Sequence, residues 1–128
     1  MDLAFPIERH AAFAPNKAAI RFADEDLDYA TLAARIRQAC DKLAALDVGE
    51  GDVVAFLGFN HPEMLALLFA CARLRAILLP LNWRLTAAEH ARVIADAKPR
   101  LVLVTPEFLG HAQALRGGSP TAQWLALA

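Results

Sequence analysis

Few side chains in this sequence could do chemistry, and their spacing limits what chemistry is open to them. The imidazoles His10, His61, His90 and His111 could serve as bases or metal ligands. No two of them, and no Cys–His pair, stand at the short spacings a zinc site uses. Cys40 and Cys71 lie inside apolar, helix-like stretches and read as reduced, buried thiols. The acids Asp24, Glu25 and Asp26 cluster, but no further ligand is spaced to converge on them, so they read as a solvated turn. Ser119 sits in a Gly-Gly-Ser-Pro loop without the strand–turn–helix setting of a nucleophile elbow. The turn Gly58-Phe59-Asn60-His61 falls between a strand-like run and a helix start, where free backbone N–H groups can hold an anion. A single glycine serves a plain tight turn equally well. Gly49-Glu50-Gly51 precedes a strand instead of following one, the wrong side for a phosphate cradle. His90 falls on the inner face of its helix with Ile94 and Ala97, as a core or interface histidine does. Trp83 and Trp124 read as packing residues, since no basic stripe interleaves with them. No catalytic, cofactor-binding or metal-ligating residue is assigned on these grounds.

The elements that would position such groups alternate between strand-like and helix-like. Leu3 to Ala14 reads as a short helix stopped by Pro15 and Asn16, and Ala18 to Phe22 as a strand. Asp28 caps a helix from Tyr29 to about Leu46, with an inner stripe of Leu32, Ile36, Ala39, Leu43 and Leu46. Arg37 and Asp41, four apart on its wet side, are placed to pair. Gly49 and Gly51 end this segment. Val53 to Leu57 is a continuous apolar run, as in a strand covered on both faces. Pro62 opens a helix to about Leu74, capped by His61 or Asn60, that is apolar nearly all round. Ile77 to Leu81 reads as a second buried strand, with Pro80 near its end. Thr86 and Glu89 make a capping box for a helix ending near Lys98. Leu101 to Val104 is a third buried strand. A helix-like piece from Thr105 and Pro106 to about Leu115, a loop over Gly117 to Pro120, and a last strand from Gln123 to Leu127 complete the order. Strands begin at Val53, Ile77 and Leu101, 24 residues apart. That is βαβ spacing, and it predicts an α/β fold: an open, mostly parallel sheet with flanking helices.

Composition sets the outer limits. The 128 residues are 57% hydrophobic and 21% charged, which excludes general disorder and predicts one α/β (sub)domain over residues 1–128. With 13 basic against 14 acidic residues there is no excess charge for bulk nucleic-acid binding. The greasiest run, Met64 to Ala72, is broken by Arg73 and Arg75 well short of the ~20 residues a membrane span needs. The opening MDLAFPIERH has no apolar leader core, so a cytoplasmic protein is expected. The apolar excess predicts surface that something else covers.

Four stretches, in order, resemble one family. They are Leu27-Asp-Tyr-Ala-Thr-Leu32; Gly49-Glu-Gly-Asp-Val-Val-Ala-Phe56; Asn60-His-Pro-Glu63 running on to Cys71-Ala-Arg-Leu-Arg-Ala-Ile-Leu-Leu-Pro-Leu-Asn82; and Trp83-Arg-Leu-Thr-Ala-Ala-Glu89. Their wording is similar to the amino-terminal part of the adenylate-forming, AMP-binding enzymes, and to acyl-CoA synthetases and other acid–CoA ligases above the rest. The resemblance covers about Phe5 to Val104. It implies a parent activity in which ATP and a carboxylic acid give an acyl-adenylate and pyrophosphate, magnesium serves the phosphates, and coenzyme A takes the acyl group as a thioester. The family's Ser/Thr/Gly-rich phosphate loop, its adenine and ribose contacts and its catalytic Lys have no counterpart here. Lys17, Lys42 and Lys98 do not stand in a matching context. The resemblance therefore implies a scaffold fragment, inactive alone, with no cofactor of its own. Its partner would be the remainder of the ligase or a second copy of the chain. A stand-alone interaction or regulatory module is the alternative, and a small nucleotide binder using the Gly58 turn is a third possibility. Two positions depart from the family wording. Asp28 stands for the usual Thr or Ser and caps as well. Arg75 stands where Gly is usual, which would cost roughly 1 kcal/mol if φ is positive there.

Overall fold

A computed structural model describes residues 2–118 and 122–127. The chain divides into two compact units: residues up to Glu50 with His61–Ala76, and Gly51–Asn60 with Ile77 onward.

The first unit holds α1 (Phe5–Phe13), the antiparallel hairpin β1 (Ala18–Phe22) and β2 (Glu25–Asp28), α2 (Tyr29–Ala45) and α3 (Pro62–Leu74). The acid cluster departs from the expected turn. Only Ala23, at φ 52°, and Asp24 form the bend, while Glu25 and Asp26 belong to β2. Leu27 alone of that strand is buried, so the alternation that marks a strand had a single apolar tooth. Arg21 Nε donates to Asp26 Oδ1 at 2.9 Å across the hairpin, an exposed pair of little weight.

Asp28 caps α2 as its type predicts, its Oδ1 accepting from Thr31 N–H at 2.8 Å. The stripe Leu32, Ile36, Ala39 and Leu43 is buried, and Ala4, Leu32, Ile36 and Ala66 form the core of this unit. Arg37 does not pair with Asp41. It reaches Glu8 of α1 at 3.1 Å, because α1 lies against α2 and offers a carboxylate closer than its own helix does. The glycines do not stop α2 either. Asp47 takes the left-handed turn at φ 62°, and Gly51 at φ 81° makes the next bend. The third helix buries Pro62, Ala66, Leu67, Ala70 and Cys71 but leaves Leu65 and Leu68 exposed. It is thus less enclosed than its composition suggests. Arg75 ends it at φ 59°, so the cost attached to a non-glycine residue applies here.

The second unit is a wholly parallel sheet in the order β4-β3-β5-β6, from β3 (Val53–Leu57), β4 (Ile77–Leu81), β5 (Leu101–Val104) and β6 (Gln123–Ala126). Val54 to Leu57 and all of β5 are buried, as continuous apolar runs predict for inner strands. The strand β4, expected to be buried, is an edge, and its Ile77 is 54% exposed. Hydrophobicity reports burial in some context and does not report strand order. An edge also accommodates Pro80, which offers no N–H to a further strand. Helix α4 (Ala87–Ala97) is capped by Thr86, whose Oγ1 accepts from Glu89 N–H at 3.2 Å. Lys98 closes it at φ 50°. A 3-10 turn over Pro106–Phe108 leads into α5 (Leu109–Leu115). Ile94 of α4 and Ala112 and Leu115 of α5 pack with Ala55, Leu57, Leu81, Val102 and Val104 of the sheet. Of the expected loop, Gly117 and Gly118 lie in a second 3-10 turn, and Ser119 and Pro120 fall outside the described residues. Among the described residues no helix is long and apolar enough to cross a membrane.

Candidate functional site

In a parallel sheet, ligands bind beyond the carboxyl ends of the strands, where the strand order reverses. That point lies between β3, whose outgoing connection leads to β4 on one side, and β5, whose connection leads to β6 on the other. Gly58 and Thr105 are the first residues past these two strands. A Cβ on Gly58 would lie 2.6 Å from Thr105 Cγ2 and 2.7 Å from its Oγ1, so a side chain here would collide with that of Thr105 unless one of them shifts. The glycine answers to packing here, not to a positive φ. Thr105 Oγ1 is buried there without a hydrogen-bond partner.

Aromatic rings cover this end of the sheet. Phe59 meets Trp83 edge-on at 4.8 Å and Phe108 at 4.9 Å, and the Arg84 guanidinium lies 5.0 Å from the Trp83 ring centre. Phe59 and Trp83 keep 43% and 38% of their surface exposed, so the patch presents flat apolar faces and one cation to whatever covers it. Its chemistry is stacking and packing.

Behind it stands a pair of imidazoles that the sequence did not bring together. His90 on α4 is completely buried, and its Nε2 lies 2.6 Å from the Asn82 carbonyl oxygen. Its Nδ1 lies 2.7 Å from His111 Nε2 on α5. The inner-face position of His90 was legible. His111, 21 residues on, carried no periodic signal that would match it to His90, because their meeting depends on α4 and α5 sharing one core. Burial, and then the neighbouring His90, holds His111 below its ordinary imidazole value.

The other candidates stay apart. In the first unit His61 caps α3 itself, with Nδ1 accepting from Glu63 N–H at 3.1 Å, so this amide is not left open for an anion. His10 stacks on Tyr29 at 4.9 Å. The Cys71 thiol is pushed up to about 11, chiefly by burial, and Cys40 is raised by the same cause. Neither is an activated nucleophile. Trp124 packs against the core of the second unit, with its indole N–H buried and unpartnered. Among the described residues no three His, Cys, Asp or Glu side chains converge as a metal site. Among the described residues no ligand set for the phosphates of ATP or a magnesium ion is assembled: the Glu63 amide of α3 is engaged by His61, and no three acids or imidazoles converge.

Comparison with known proteins gives a consistent result. The family model described as AMP-binding enzyme matches residues 7–124. An indoleacetate–CoA ligase of Aromatoleum aromaticum is 47% identical over 116 residues, which cover 91% of this chain and 23% of that protein. A feruloyl-CoA synthase of an Amycolatopsis species is 38% identical over 86% of this chain and 22% of its own length. The solved structure of a Rhodopseudomonas palustris protein, described as a long-chain-fatty-acid CoA ligase, superposes with a TM-score of 0.93 at 30% identity. That superposition covers 100% of this chain and 33% of the other. The chain spans about a quarter of the length of the curated relatives it matches.

Proposed function

This chain belongs to the AMP-binding enzymes, and on that premise we propose that residues 1–128 are the amino-terminal scaffold of an ATP-dependent, cytoplasmic acid–CoA ligase. The observation that carries the reading is the 47% identity to an indoleacetate–CoA ligase across nearly the whole chain. With the feruloyl-CoA synthase, that relative favours an aryl-substituted carboxylic acid as the substrate class. The scaffold contributes no catalytic group of its own. Electrostatic stabilisation of phosphate chemistry needs fixed cations and backbone donors aimed at the phosphates, and the described residues do not converge on such a site. ATP, magnesium and coenzyme A are therefore assigned to the remainder of the ligase. That remainder is also the partner for the exposed apolar side chains Phe59, Trp83 and Leu109, the alternative being a second copy of the chain.

Two measurements test this together. Acid-dependent ATP–pyrophosphate exchange with indoleacetate should stay at blank level for the 128-residue chain. The reading frame past codon 128 should run on into a Gly/Ser/Thr-rich loop with a Lys. Turnover by the chain alone removes the scaffold reading. A stop codon at that point favours a stand-alone interaction module instead.

A further inference from the structure

We propose that His90 and His111 work as one proton-binding site that clamps α5 to the end of β4. The hydrogen bonds dictate how protons are placed. The Asn82 carbonyl oxygen can only accept, so His90 Nε2 carries the hydrogen of that 2.6 Å bond. In the neutral ring His90 Nδ1 is then a lone pair, so the 2.7 Å bond to it is donated by His111 Nε2–H. One nitrogen, His111 Nδ1, is left without a hydrogen, and it sits on the half-buried ring of the pair.

A first proton therefore goes to His111 Nδ1. It leaves every bond of the chain Asn82–His90–His111 in place, although burial of the ring makes the charged form less favourable in the folded chain than in the unfolded one. A second proton has only His90 Nδ1 to go to. It would set two N–H groups head to head at the bonding distance and bring two cations together inside the core. The clamp holds with no added proton or one, and opens with two. The charged groups on the surrounding elements are Arg84 before α4, Glu89, Arg92 and Asp96 on α4, Lys98 at its end, and Glu107 and Arg116 on either side of His111. Besides burial, the charge acting on His111 is that of His90. The Phe108 ring centre lies 6.4 Å from that of His111, with the two planes nearly perpendicular. Because the folded chain holds His111 below its ordinary value of 6.5, the unfolded chain takes up protons first. Stability from this group is complete above about pH 6.5 and is lost as pH falls through that value towards the folded one.

The test is carried out on the whole chain. Nitrogen-detected NMR of the imidazoles at pH 8 should show His90 with hydrogen on Nε2 and a bare Nδ1, and His111 with hydrogen on Nε2. On acidification His111 should titrate at Nδ1 before the α5 amides lose protection. Hydrogen-exchange protection at Ala112 and Leu115 should then drop roughly tenfold, the size of one charge-assisted hydrogen bond. His90→Gln can still donate to Asn82 and accept from His111, so it should keep the protection of α5 and flatten its acid response. His90→Leu should lose protection at every pH. Finding His90 with hydrogen on Nδ1 at pH 8, or the wild-type acid curve unchanged in His90→Gln, overturns the proposal. Neither of those readouts depends on His90→Leu folding.

Discussion

The first unit is built from helices and a two-stranded hairpin whose contacts are edged with charge: Arg37 to Glu8, Arg73 to Asp2 and Glu8, Arg21 to Asp26. The second is built on a parallel sheet whose inner strands carry no charge at all between Val53 and Leu57 or Leu101 and Val104. The backbone differs at two positions, although each unit holds non-glycine residues in the left-handed region, Arg75 in the first and Lys98 in the second. In the second unit a glycine stands where packing demands one, since Thr105 leaves no room for a side chain at position 58. In the first unit Arg75 stands in a left-handed conformation that a glycine would occupy without strain. An atom added at position 58 would run into the Thr105 side chain, whose Oγ1 is buried, so one of the two must shift. The helix end projects into solvent and tolerates a poor residue at modest cost.

Three substitutions sharpen or break that comparison. Gly58→Ala should show the largest effect, destabilising the chain by about 1–3 kcal/mol in urea unfolding, the usual range for forcing an atom into a packed site. A loss below a few tenths would mean that Thr105 moves aside freely and that the sheet end is softer than its geometry implies. Arg75→Gly should have a smaller effect and the opposite sign, raising stability by about 1 kcal/mol through relief of the left-handed strain. The exposed Arg75–Glu50 contact at 4.0 Å is too long and too wet to offset that gain. The smallest effect belongs to the α2 cap. The amide of Thr31 holds the Asp28 carboxyl below its ordinary value of 3.8. Its contribution is therefore present above about pH 4 and fades as pH falls through the folded value. Asp28→Asn keeps a capping oxygen but cannot titrate, so its stability-versus-pH curve should be flatter than wild type below pH 4. A parallel curve would assign the acid sensitivity to other carboxylates.

Helix caps and apolar stripes were legible because they act within one or two turns of chain. Asp28 and Thr86 cap where their types predict, and Leu32, Ile36, Ala39 and Leu43 face inward at helical spacing. The hairpin strand Glu25–Asp28 was not, since three of its four residues face solvent or nearly so and show no alternation. The candidate site was the least legible part. Gly58 was visible as a turn, but its reason, the Thr105 side chain, lies 47 positions along the chain. The aromatic cover joins residues from the ends of three strands, and the imidazole pair joins two helices.

The order of strands and helices, their caps and the family wording of the strand–helix junctions were set by residues close together along the chain, where periodicity and hydrogen-bonding type act directly. Which strand became an edge, that Arg37 turned to Glu8 instead of Asp41, and that His90 met His111 were decided only when elements packed. Those outcomes depend on which faces share a core, and no local rule of propensity or spacing carries that information.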